Sequence, residues 1–103
     1  MSAVFSGTWI AALPRQGVQT KMTFSSTNST VQVQPVGGET IYPGIWAEDG
    51  NGNFIIQATI PPSEFNSVWS GTIQVGSGKG FYVEYSHHRQ LAGLEPATFT
   101  RVG

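Results

Sequence analysis

The sequence predicts an all-β protein, one domain over residues 1–103 folded as an eight-stranded antiparallel up-and-down β-barrel. Three observations carry that prediction. Apolar and polar residues alternate with a period of two, and no stretch sustains a helical period. Turn-forming clusters interrupt the alternation at spacings of about 8–12 residues, as in sandwiches and barrels. The connections are short nearly throughout, which favours a meander over a Greek key, and closing the meander removes its two exposed edges.

The first strand is expected to begin at Gly7-Thr8-Trp9 and to end at Leu13-Pro14-Arg15-Gln16-Gly17. In the second, Val18, Thr20, Met22 and Phe24 can face inward while Gln19, Lys21 and Thr23 face water. Ser25 to Ser29 turns into Val31-Gln32-Val33-Gln34, which Pro35-Val36-Gly37-Gly38 ends. Ile45-Trp46-Ala47 and Phe54-Ile55-Ile56 flank Glu48-Asp49-Gly50-Asn51-Gly52-Asn53, whose Asp-Gly and Asn-Gly steps predict a hairpin. Pro61-Pro62-Ser63-Glu64 separates that pair from Val68–Ile73. Gly76-Ser77-Gly78-Lys79-Gly80 reads as the next turn, followed by the alternating Phe81-Tyr82-Val83-Glu84-Tyr85. Gln90-Leu91-Ala92-Gly93-Leu94, ahead of Pro96, reads as a loop or a single helical turn, and Phe99-Thr100-Arg101-Val102 as the last strand.

Composition narrows the function classes. Five Lys and Arg against six Asp and Glu leave a net charge of −1, too little positive charge to neutralise many phosphates, so no nucleic-acid partner is expected. The absence of cysteine removes disulfides and thiolate metal sites. No window has the apolar length of a membrane span, so no membrane partner is expected. Met1-Ser2-Ala3-Val4 runs into a strand pattern without the features of a signal peptide, which predicts a cytoplasmic protein. Had a signal been removed, the protein would be secreted and Asn28-Ser29-Thr30 would read as a glycosylation acceptor.

In a closed barrel the first and last strands meet. Gly7 then allows a close backbone approach, Trp9 closes one end, and Arg101 can lay its guanidinium against the indole. Gly7-Thr8-Trp9 together with Phe99-Thr100-Arg101-Val102 resembles the calycin superfamily of lipocalins, fatty-acid-binding proteins and avidins. Within it the chain is most similar to the avidin and streptavidin group, whose chains begin with Gly-Thr-Trp or Gly-Lys-Trp and end in Phe-Thr-Lys or Phe-Thr-Arg; Trp69-Ser70-Gly71 resembles that group's sixth strand. The resemblance implies a barrel that binds a small molecule. It does not extend to biotin, because Ile10-Ala11-Ala12 and Ala97 stand where the group carries polar ligand contacts.

The residues leave three functions open. The first is a non-catalytic binding protein, its small-molecule or partner site built from Trp46, Trp69, Tyr42, Tyr85 and Phe54, whose rings and hydroxyls suit a partly polar ligand. The second is a barrel isomerase or cyclase using His87 or His88 as general base with Glu84 nearby. The third is a cytoplasmic-type lectin that reads sugars through loop aromatics and Asn or Gln, with Asp49–Asn53 beside Trp46. Adjacent strand residues point to opposite faces, so His87 and His88 do not suggest a shared metal, and neither a metal nor another cofactor is expected. Strands apolar on both faces, such as Phe54-Ile55-Ile56, predict a homo-oligomer, most simply a dimer, or a tetramer if the avidin likeness holds.

Overall fold

Eight strands close in chain order: β1 (Gly7–Leu13), β2 (Val18–Ser25), β3 (Thr30–Pro35), β4 (Tyr42–Glu48), β5 (Asn53–Ile60), β6 (Phe65–Gln74), β7 (Ser77–Tyr85) and β8 (Gln90–Arg101). The computed structural model describes residues 6–25, 29–60, 65–85 and 90–103, apart from the side chains of 60, 65, 85 and 90–93. Every neighbouring pair is antiparallel, and β1 meets β8 through Trp9–Ala12 against Thr98–Arg101. This is the up-and-down barrel the alternation predicts. Among the described residues no helix is long and apolar enough to cross a membrane.

Residues directly opposed on antiparallel strands share a face, so the register sorts the side chains into inward rows. Trp9 lies opposite Met22 and Met22 opposite Val33. Another row runs Trp46, Ile56, Trp69, Tyr82. Along β2 the inward Thr20, Met22 and Phe24 are buried and Gln19 and Lys21 are exposed, as the period of two requires. Val18 continues the inward series yet is 42% exposed, because it sits at the barrel rim.

Two local expectations are corrected. Gln74 pairs with Ser77, so the turn between β6 and β7 is only Val75-Gly76, with Gly76 at φ +74°, and Gly78, Lys79 and Gly80 are strand residues. Gly80 serves close approach rather than a turn: a Cβ there would lie 1.9 Å from the Ser70 carbonyl oxygen. Nearby, the Phe54 and Phe99 rings pack edge to face at 4.8 Å.

Gln90 to Leu94 is strand, not loop or helical turn. The ladder to β7 holds it there, with register shifts near Glu84. Pro96 fits within β8 because the β1 pairing reaches only to Thr98, leaving this stretch a neighbour on one side alone.

The structure also decides which face of β7 is inside. The apolar Phe81 and Val83 point outward, and Tyr82 and Glu84 point inward. Tyr82 opposes the buried Trp69, and Glu84 opposes the buried Ser67, so the register of β6 decides the face.

Candidate functional site at the open end of the barrel

The two ends of the barrel differ. At the end that holds both termini, Trp9, Met22, Val31, Ile56 and Phe99 are almost fully buried. The Trp9 indole N–H donates to the Ser6 carbonyl at 3.2 Å, and the Trp46 N–H donates to the carbonyls of Ser25 and Thr30 at 3.2 and 3.1 Å. Phe24 packs edge to face on Trp46 at 5.7 Å. Backbone bonds between Thr8 and residues 102 and 103 fasten the termini together.

Arg101 pairs directly with Trp9 in the register, and its guanidinium donates to the Gly103 carbonyl at 3.4 Å and to Ser6 Oγ at 3.5 Å. Gly7 has φ +74°, and a Cβ there would lie 2.3 Å from the Gly103 carbonyl oxygen. Gly7, Trp9 and Arg101 therefore come together at the packed end, where closure was expected of them.

The opposite end holds a cavity of about 470 Å³. Its apolar wall is Leu13, Val18, Val33, Pro35 and Trp69, and its polar wall is Gln16, Thr20, Ser67, Tyr82 and Glu84. Most of these are inward positions of β1, β2, β3, β6 and β7, so barrel closure itself brings them together. The Trp69 and Tyr82 rings lean on each other at 5.0 Å with a 49° tilt.

A directed chain of hydrogen bonds crosses the polar wall. Tyr82 Oη donates its single hydrogen to Glu84 Oε2 at 2.6 Å, so the 3.0 Å contact with Ser67 Oγ has the serine as donor. Burial, and then the carboxylate that accepts its hydrogen, push the Tyr82 hydroxyl well above its usual 10.0. Glu95 sits opposite Tyr82 on β8 and accepts a hydrogen bond from the Gln16 side-chain amide.

Thr20 is only 9% exposed, and its hydroxyl has no hydrogen-bond partner among the described residues. Among those residues no three His, Asp or Glu cluster as a metal site would need.

Of the residues singled out from sequence, Trp69 and Glu84 line this cavity. Trp46 and Phe54 are buried at the packed end, and Tyr42 is half-buried on β4. The side chain of Tyr85, and His87 and His88 altogether, lie outside the described residues.

The loop from Asp49 to Asn53 uses its polar groups within the turn. Asp49 Oδ1 accepts from the Asn51 and Asn53 backbone N–H groups, and Oδ2 accepts from the Asn53 amide at 2.6 Å. These bonds hold the Asp49 carboxyl below its usual 3.8.

Sequence reasoning missed Thr20 and Ser67 and did not join them to Tyr82. The available signal was the pairing of two alternations: β7 carries polar residues at the positions that face the buried series of β6.

No family model and no curated protein matches the chain by sequence. Among solved structures it is similar to the crystal structure of pallilysin from Treponema pallidum, with a TM-score of 0.63 and 12% identity over all of this chain and 84% of that one. That likeness is one of fold.

Proposed function

We propose that the protein is a binding protein whose ligand, a small organic molecule, occupies the open-end cavity without undergoing chemistry. One observation carries the reading: barrel closure assembles a cavity of about 470 Å³, within the roughly 300–1,000 Å³ usual for small-molecule sites, with an aromatic wall facing a wall of convergent polar groups. Trp69 and Tyr82 offer ring faces, and Thr20, Ser67 and Glu84 offer hydrogen-bonding atoms. Biotin is not the ligand proposed, because Ala11 and Ala97 are buried where the avidin resemblance would require polar contacts.

The test is an NMR titration with small neutral aromatic molecules such as indole and benzyl alcohol. Resonances of Thr20, Ser67, Trp69 and Tyr82 are expected to move together, with those of Trp9 and Trp46 unaffected. Shifts confined to the outer surface, or none at millimolar fragment, would overturn the reading.

The same barrel is read as a homo-oligomer. The outward row Ile55, Ser70, Phe81, Pro96 carries no charge, Ile55 and Phe81 are about half exposed, and a groove of about 560 Å³ runs beside Phe81 and Pro96. An uncharged apolar face is self-complementary, as a two-fold contact between copies requires. Light scattering is expected to give a mass above 11.1 kDa that falls to the monomer in Phe81→Ser. A wild-type monomer at high concentration would remove this part of the reading.

A further inference from the structure

We infer that the cavity selects organic cations: a flat ring seated against Trp69 and Tyr82, with a protonated amine directed at Glu84. This rests on the cavity being the binding site, and adds which chemical class enters it.

Among the described residues the charge around the cavity is one-sided. Glu84 lines it, and Glu95, opposite Tyr82 on β8, accepts a hydrogen bond from the lining Gln16. Among the described residues no Lys or Arg lines it: Lys21 and Lys79 point outward, Arg15 is exposed on the β1–β2 turn, and Arg101 belongs to the opposite end. Among the described residues, an anionic ligand would meet the Glu84 carboxylate with no compensating cation.

The direction of the hydrogen bonds adds a separate reason. Ser67 donates to Tyr82 and Tyr82 donates to Glu84, so the hydroxyl hydrogens of this chain are engaged within the wall. Glu84 Oε1 has no hydrogen-bond partner among the described residues and remains an acceptor. A ligand group that donates hydrogens and carries positive charge satisfies it, and an ammonium does both.

Thr20 supplies the second, independent pointer. Its hydroxyl is on a side chain about nine-tenths buried, it borders the cavity, and it lacks a partner among the described residues. No side-chain polar atom among the described residues is both fully buried and unpaired, so this hydroxyl stays accessible and can hydrogen-bond a ligand in the cavity. The rings complete the pattern, since the face of an indole or phenol attracts a cation as well as a flat apolar group. Without three clustered ligating side chains among the described residues, an organic cation suits the site better than a bare metal ion.

The experiment is calorimetric titration of the full chain with three near-isosteric probes: 2-phenylethylamine, 2-phenylethanol and phenylacetate. At neutral pH and low salt the amine is expected to bind at least about tenfold more tightly than the alcohol, with the acid weakest. Glu84→Gln should weaken the amine by about tenfold and leave the alcohol within about twofold. Raising the salt on the unaltered protein should weaken the amine and spare the alcohol, a readout that needs no variant to fold. If the alcohol binds as well as the amine, or salt and Glu84→Gln treat them alike, charge selection is overturned and the cavity reading stands. If none of the three binds or shifts the Trp69 resonances, both fall.

Discussion

The two ends of this barrel are made from the same alternating strands, and they differ in what the inward positions carry. At the packed end the buried inward positions are mostly large and apolar, among them Trp9, Met22, Trp46, Phe54, Ile56 and Phe99, and the Trp9 and Trp46 N–H groups are satisfied by backbone carbonyls. At the open end the polar Thr20, Ser67, Tyr82 and Glu84 take inward positions facing Leu13, Val33 and Trp69, with a cavity left between them. Close packing and open space are thus assigned to separate ends of one sheet. A small domain with a single core gains from this separation, because a cavity in the middle of the core would remove contacts the fold depends on.

The contrast is sharpest when substitutions at the two ends are compared. Trp9→Ala should have the largest effect, destabilising the protein by about 3–5 kcal/mol in chemical denaturation. A loss below about 1 kcal/mol would mean that the indole does not close the barrel. Gly80→Ala follows: its methyl would collide with the Ser70 carbonyl, so β6 and β7 must move apart, at a cost of about 1–3 kcal/mol. A neutral result would show that the strands are not held so close.

Tyr82→Phe is intermediate. Removing the hydroxyl breaks the links to Ser67 and Glu84 and should cost about 0.5–1.5 kcal/mol. The hydroxyl also sets an alkaline limit. Its folded pKa is raised above the unfolded value, so its stabilisation is fully present below about pH 10 and declines as pH rises towards the folded value. Ultraviolet titration should show one tyrosine still protonated well above pH 10, absent in Tyr82→Phe; ionisation of that tyrosine at the ordinary pH would contradict its burial.

Thr20→Val and Glu84→Gln should leave stability within about 0.5 kcal/mol while changing what binds. If either destabilises the protein as much as Trp9→Ala, the separation of the two ends is false. The smallest effect belongs to the β4–β5 hairpin. The Asp49 carboxyl titrates below its usual 3.8 in the fold, so its contribution is present above that value and is lost as pH falls through the lower folded value. Amide protection at Asn51 and Asn53, corrected for the intrinsic exchange rate, should fall at low pH while that of Trp9 does not.

Much of the architecture was legible because each cue is local. Alternation in Val18–Phe24, the Asp49-Gly50-Asn51-Gly52 turn and the proline-rich breaks between strands depend only on nearby residues. Trp9 and Arg101 could be placed together because a closed meander must join its ends. Less was legible where a local cue competes with a distant partner. The glycines from 76 to 80 resemble a turn, yet two of the three serve the strand, since their lack of a side chain matters against β6. Gln90 to Leu94 shows no strand pattern of its own and is extended because β7 pairs with it.

By itself, the sequence determined an all-β chain and its strand count and order, since periodicity and turn chemistry are properties of neighbouring residues. Only the tertiary structure decided which face of β7 looks inward. Phe81 and Val83 could equally have filled the core, and β7 alone contains nothing to prevent it. The register with β6 put Tyr82 beside Trp69 and Glu84 beside Ser67, and a shift by one residue would have turned every one of those side chains to the other face. The polar wall of the cavity follows from that pairing between strands, which no single strand encodes.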